Sequence, residues 1–159
     1  MANNRAKRKT GSYELRRRAR RRVTQALYQW QMTGDCASDI IDQFLEEQSW
    51  DMVDQEYFEL LLNESIRENE SISQGLIPFL DRPIEQLDYL ERSVLQLAAA
   101  ELMFHPDIPF RVVLDEAIDL AKRFGAAKSY RYVNAVLDKA ARQWRALEAV
   151  AEVENTGDD

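Results

Sequence analysis

One cysteine, one histidine, four prolines and five glycines in 159 residues set the first limits. A lone Cys36 closes no internal disulfide and fits a reducing cytoplasm. So few glycines and prolines cannot punctuate a many-turned β sandwich or barrel. No apolar run approaches the roughly 20 residues that span a bilayer, and the opening residues lack the apolar stretch of a secretory signal. The expectation is a cytoplasmic, helical chain with no membrane partner.

Catalytic chemistry is equally short of material. Cys36 has no second cysteine or histidine at metal-ligand spacing, and His105, just before Pro106, suits the end of a helix. No glycine-rich phosphate loop or nucleophile motif appears. Asp115, Glu116 and Asp119 share one helix, where carboxylates can hold Mg²⁺ or exchange protons; a solvated helix face is the simpler account. We expect no enzyme activity, no metal and no cofactor.

What is present is charge, unevenly placed. The net charge of −7 conceals ten Lys or Arg against one acid, Glu14, in residues 1–22, a local +9. The rest of the chain holds 11 basic and 27 acidic residues, a balance of −16. Attraction for polyanions is therefore concentrated at one end.

Apolar spacing predicts an all-α fold. Residues 1–15 form a basic arm, and the first twelve lack apolar content and are expected to be disordered. A helix runs from about Leu15 to Thr33 on Ala19, Val23, Ala26, Leu27 and Trp30, ended by Gly34. The next spans about Ser38 to Gln48, with Ser38 as N-cap and Ile40, Ile41, Phe44 and Leu45 inward. A third, from about Asp51, packs on Val53, Tyr57, Leu60, Leu61 and Ser65. The pattern slips near Glu68 to Ser71, so a bend or new helix carries Ile72, Leu76 and Phe79.

Asp88 and Glu91 read as a cap and its partner for a central helix, about Tyr89 to Phe104, stopped by His105 and Pro106. Another runs from about Pro109 to Phe124, with Gly125 past its end. The last is expected from about Lys128 to Ala149, on Val133, Val136, Leu137, Ala140 and Trp144. An acidic tail, 150–159, should fray. The division into two helical halves is expected near Pro83, within one globular body of residues 16–149.

At 100° per residue, Arg17, Arg21, Thr24 and Tyr28 fall opposite the apolar stripe of the first long helix. Guanidinium groups grip phosphates with paired hydrogen bonds, and an aromatic ring stacks on bases. That pairing is what single-stranded RNA binding needs. On charge alone a nucleic acid, an anionic membrane and a targeting or idle tail all stay open. Lys128, Tyr132 and Lys139 form a second basic stripe on the last helix, within about 40° of one another. A merely solvated face fits those three as well. Glu85, Glu91 and Glu101, near Phe79 and Tyr89, form either a surface for a basic protein or ordinary solubilising charge.

Two segments carry a family resemblance. RRRARRRVTQALYQWQ at Arg16–Gln31 resembles the opening of the NusB family, where an arginine-rich motif runs into an ALY-x-W helix. AIDLAKRFGAAKSYRYVNAVLDKAA at Ala117–Ala141 resembles the AI-x-LAK-x-FG and FVNGVLDKAA signature of the same family. Between them QFLEEQ, YFELLL and LERSVLQLAAAEL follow in order, so the resemblance covers most of the chain.

It implies a seven-helix bundle in two halves, three helices plus four. It implies an RNA-binding transcription antitermination factor that holds boxA of nascent ribosomal RNA transcripts together with NusE, a small-subunit ribosomal protein. The pair would join other Nus factors on RNA polymerase. Carried over residue by residue, the RNA surface comprises Arg16, Arg17, Arg18, Arg20 and Tyr28, with Phe124, Lys128 and Tyr132. Arg21 and Lys139 join it from helical geometry alone. The NusE surface comprises Phe79, Glu85 and Glu91.

The chain departs from the family pattern at Ala135, where Gly is usual, and at Tyr130 and Tyr132, where His and Phe are common. Lys128 stands where relatives can carry an acid, which bears on RNA affinity. Two other classes remain in view. One is the NusB-like accessory domain of ribosomal RNA cytosine methyltransferases, a reading that predicts a catalytic domain with its cofactor-binding loop and cysteines beside it; residues 1–159 show neither feature, so it is not the expected reading. The other is a structural module whose basic arm contacts any anionic surface.

Overall fold

Three- and four-residue apolar spacing yields α-helices throughout the computed structural model, which describes the backbone of residues 2–156 and the side chains of residues 11–151. No strand occurs among the described residues. The chain divides into two units, Met1–Arg67 and Glu68–Asp159, so the boundary lies well before the expected Pro83.

The first unit holds α1 (Ala2–Thr33), α2 (Ala37–Glu47) and α3 (Gln55–Arg67). The helix α1 starts at Ala2, where the sequence suggested a disordered arm; the side chains of the first ten residues lie outside the described ones. It packs against both α2 and α3. Two partners demand a wider buried arc than one, and Ala19, Arg20, Val23, Thr24, Ala26 and Leu27 together fill about 160° of its circumference. Arg20 and Thr24, expected at the surface, are thereby core residues. The helix stops where Gly34 takes a left-handed φ of 71° and its N–H bonds Trp30 O at 2.9 Å.

Cys36, not Ser38, occupies the N-cap of α2, and its Sγ lies 3.3 Å from Ser38 Oγ. Ile40, Ile41 and Phe44 are buried as expected, while Leu45 is half-buried. In α3 the inward line is Tyr57, Phe58, Leu61, Leu62 and Ser65. Leu60, expected inward, is 46 % exposed, and Val53 precedes the helix. Phe58 sets that register, because its ring meets Phe44 at 5.7 Å and Trp50 at 4.7 Å. The Trp50 indole also donates to Phe44 O at 3.1 Å, closing the aromatic cluster.

The second unit holds α4 (Asn69–Leu76), short 3₁₀ turns at Ile77–Phe79 and Ile84–Gln86, α5 (Tyr89–Phe104), α6 (Phe110–Phe124), α7 (Ser129–Trp144) and α8 (Ala146–Thr156). The bend expected at Glu68–Ser71 is the start of α4, with Ile72 and Leu76 buried. Ten consecutive residues of α5, Ser93 to Leu102, are buried, because α4, α6 and α7 all pack on it. A helix enclosed on every side must be apolar on every side, and VLQLAAAEL nearly is. Asp88 caps it by accepting from the N–H groups of Leu90 (2.8 Å) and Glu91 (3.3 Å). His105 ends it, its own N–H bonding Glu101 O at 3.0 Å.

The single terminal helix expected from Lys128 is two segments, broken at Arg145 with φ −119° and ψ 46°. Taken as one interrupted rod, α7 and α8 leave a three-plus-four arrangement. The acidic tail is helical as far as Thr156, and its last three residues lie outside the described ones.

The break has a purpose. Arg145 is nearly buried and donates to four carbonyls, Glu101 (3.2 Å), Leu102 (3.0 Å), His105 (2.9 Å) and Ile108 (2.6 Å). These belong to the last turn of α5 and the loop beyond it, where a helix runs out of backbone donors. Glu148 pairs with Arg145 at 3.0 Å and accepts the Phe110 N–H at 2.7 Å, so one ion pair ties the end of α5 to the start of α6.

Candidate nucleic-acid interface

The arginines of α1 divide by what α3 and the loop before it offer them. Arg16 lies over the Tyr57 ring, 4.2 Å from its centre, in a cleft also lined by Asp54, Glu56 and Leu60. Two acids thus line the same cleft. Arg18 donates to Met52 O at 3.2 Å and pairs with Glu14 at 3.4 Å. Arg22 donates to Ser49 O at 3.1 Å and stacks over Trp50 at 4.9 Å, and burial lowers its pKa. Arg20 is 1 % exposed, 5.6 Å from the Tyr57 ring centre, and its backbone oxygen accepts from Thr24 Oγ1 at 2.9 Å. Arg20 therefore leaves the expected RNA surface. Sequence placed it there because arginine is rarely buried, and the second packing partner of α1 was invisible.

Arg17, Arg21 and Tyr28 remain on the outer face, within about 40° of one another. Arg17 lies 3.8 Å from Glu14, and Tyr28 is 39 % exposed. Two guanidinium groups followed by a ring along one helix edge can take two phosphates and one base.

In the second unit Lys128 is exposed at the N-cap of α7 with a left-handed φ of 71°. It follows the turn that Gly125 makes at the end of α6, where the Gly125 N–H bonds Ala121 O at 2.8 Å. Phe124 is half-buried beside that turn. A Cβ on Gly125 would press on Ser129 Oγ and stand 2.7 Å from Ala121 O. Gly125→Ala is therefore expected to cost about 1–3 kcal/mol and to displace the start of α7. Thermal unfolding, with the amide spectra of Lys128 and Ser129, checks it; unchanged stability would rule the crowding out.

Tyr132 is half-buried, with Arg82 stacked 4.9 Å from its ring centre. Its hydroxyl accepts the Asp81 N–H at 3.4 Å, and Arg82 pairs with Asp81 at 2.8 Å. Burial raises the Tyr132 pKa, while hydrogen bonds from Arg82 and Tyr132 lower that of Asp81. A cation behind the ring strengthens its use as a stacking surface. Lys139 is exposed on the Lys128 and Tyr132 side of α7. Sequence reasoning did not find Arg82, which is remote in sequence and carries no helical pattern.

Of the expected protein-binding residues, Glu85 is exposed and Glu91 half-buried, with burial and then Asp88 raising its pKa. Phe79 is half-buried, edge-on to Trp144 at 5.9 Å. Tyr89 is exposed beside the Asp88 cap. Glu101, grouped with these acids in sequence, is 1 % exposed and belongs to the core. Asp115 and Asp119 are exposed, but Glu116 is buried, so the three acids do not share a solvated face. No cluster of three or more potential metal ligands occurs among the described residues, and no described helix is long and apolar enough to cross a membrane.

Comparison with known proteins matches this geometry to one family. Residues 17–142 fit the family model of the NusB family. The transcription antitermination protein NusB of Xanthomonas campestris pv. campestris (strain B100) is 47 % identical over 137 residues, covering 86 % of each chain. The NusB of Xanthomonas oryzae pv. oryzae (strain PXO99A) is also 47 % identical over 137 residues, 86 % of this chain and 88 % of that protein. Among solved structures, T. maritima NusB superposes with a TM-score of 0.71 at 32 % identity, covering 79 % of this chain and 89 % of that one. A chain from the crystal structure of antitermination factors NusB and NusE in complex with dsRNA gives a TM-score of 0.72 at 28 % identity, covering 80 % and 96 %. On sequence and on fold, this chain belongs to the NusB family.

Proposed function

We propose that this chain is a cytoplasmic, non-enzymatic transcription antitermination factor that binds boxA of nascent ribosomal RNA transcripts together with NusE. With the other Nus factors it acts on RNA polymerase. The observation that carries the reading is the outer face of α1, where Arg17, Arg21 and Tyr28 present two cations and a ring in a chain whose net charge is −7. Support comes from relatives named as transcription antitermination proteins and from a related chain solved with NusE and dsRNA. In the second unit Lys128, Tyr132 and Lys139, with Phe124 beside the turn, are the RNA-facing set. Phe79, Glu85 and Glu91 receive NusE, a ribosomal protein whose class is rich in basic residues.

Phosphates are neutralised by the cations while bases stack on Tyr28 and Tyr132, and NusE completes the RNA site so that each ligand tightens the other. Fluorescence anisotropy of a labelled boxA RNA and a scrambled control, with and without NusE, tests this. About six phosphate contacts on a single strand weaken binding on the order of 10²- to 10³-fold as salt rises fourfold. A boxA preference that tightens with NusE is the expected result. Equal affinity for both RNAs, unmoved by NusE, overturns the proposal.

A further inference from the structure

The side of α7 opposite Lys128, Tyr132 and Lys139 carries a second basic and aromatic cluster. Tyr130 lies there, two residues from Tyr132 and so turned about 200° around the helix axis. Lys122 Nζ, from α6, stands 4.9 Å from the Tyr130 ring centre. The Arg131 guanidinium is 5.9 Å from the same ring and donates from Nε to the Tyr130 hydroxyl at 3.4 Å. Arg123 is exposed next to Lys122.

Three features separate this group from ordinary surface charge. Three other cations of the unit are matched by carboxylates: Arg82 by Asp81, Arg142 by Asp138 and Arg145 by Glu148. Lys122, Arg123 and Arg131 have no carboxylate within ion-pair distance among the described residues. The first turn of α7 contains no acid, so the positive end of its macrodipole adds to the same field. The Arg131 hydrogen bond, and the charges of Arg131 and Lys122, lower the Tyr130 pKa. A ring gripped by cations on a surface of unneutralised positive charge suits alternating phosphate and base contacts, which an acidic protein surface would not supply.

We infer that Lys122, Tyr130 and Arg131 form a second RNA contact, taken by the single strand that flanks boxA as it passes around the start of α7. The inference rests on the RNA-binding reading above, and extends it to residues outside the set carried over from the family. Lys128, exposed at the N-cap, stands where a strand rounding the helix end would pass from one face to the other.

The test compares the parent protein, Lys122→Gln/Arg131→Gln, and the charge-matched control Arg111→Gln/Arg142→Gln on boxA RNA carrying several flanking nucleotides at each end. Loss of two phosphate contacts should lower the logarithmic salt slope by about 1.4 and weaken binding about 10- to 30-fold near 0.1 M salt. The control should change the slope by much less, because Asp138 already offsets Arg142. Circular dichroism confirms that both variants fold; these four side chains are exposed. A parent slope that Lys122→Gln/Arg131→Gln leaves intact overturns the second contact and spares the RNA reading. An equal loss in the control overturns it too, as a bulk charge effect. A parent protein with no salt-dependent RNA binding overturns the RNA reading itself.

Discussion

Arg145→Met should destabilise the second unit by about 3–5 kcal/mol, with the loss read as a lower midpoint in urea. Four carbonyls at the end of α5 and in its following loop depend on one guanidinium. A methionine fills similar volume and replaces none of those donors, and each buried acceptor left bare costs about 1–3 kcal/mol. Arg145→Lys should recover less than half, since a compact ammonium with three hydrogens cannot span acceptors from Glu101 to Ile108 and Glu148 as well. Glu148→Gln is the informative contrast. It keeps an oxygen for the Phe110 N–H, lies in a half-exposed site and loses only the charge, so about 1 kcal/mol is expected. Equal losses for Arg145→Met and Glu148→Gln would show that the ion pair, and not the carbonyl network, is what Arg145 supplies.

That residue also marks where sequence stops predicting structure. From Ser129 to Ala149 the apolar spacing continues without a glycine or proline, so nothing local announces a break. The backbone leaves the helix at Arg145 because the end of α5, some forty residues earlier, needs donors there. Where the cause is local, the sequence shows it. Gly34 and Gly125 end α1 and α6, Asp88 caps α5, and His105 closes it. The enclosed α5 was legible because its residues are apolar on all sides.

The errors in the first unit share another cause. A stripe read from one helix assumes one packing partner, but α1 and α3 each pack against two neighbours. The buried arc of α1 widens past Leu27 to take in Arg20 and Thr24, and that of α3 turns toward Phe58 and Leu62 and leaves Leu60 outside. The candidate site was legible in the same proportion. Tyr28, Lys128 and Lys139 are exposed and Arg17 and Arg21 half-exposed on the faces their spacing requires, whereas the loop residue Arg82 entered only with tertiary structure.

This division of the arginines leads to the second large effect. Arg17→Gln/Arg21→Gln/Tyr28→Ala is expected to fold, with stability lowered by at most about 1.5 kcal/mol, since surface substitutions cost within about 0.5 kcal/mol each. Its boxA affinity should fall at least about 50-fold. Two lost phosphate contacts contribute about 10- to 30-fold near 0.1 M salt, and a lost base stack contributes about 1–3 kcal/mol more. Arg20→Gln should do the reverse. A shorter neutral amide gives up the packing and the Tyr57 ring contact of the buried guanidinium, so the loss falls on stability, about 1–3 kcal/mol. The RNA affinity of its folded fraction should move little. Calorimetry and anisotropy on the same two variants separate the roles. An Arg20→Gln protein that melts like the parent and loses RNA would return Arg20 to the binding surface, and the wide buried arc of α1 would then be wrong.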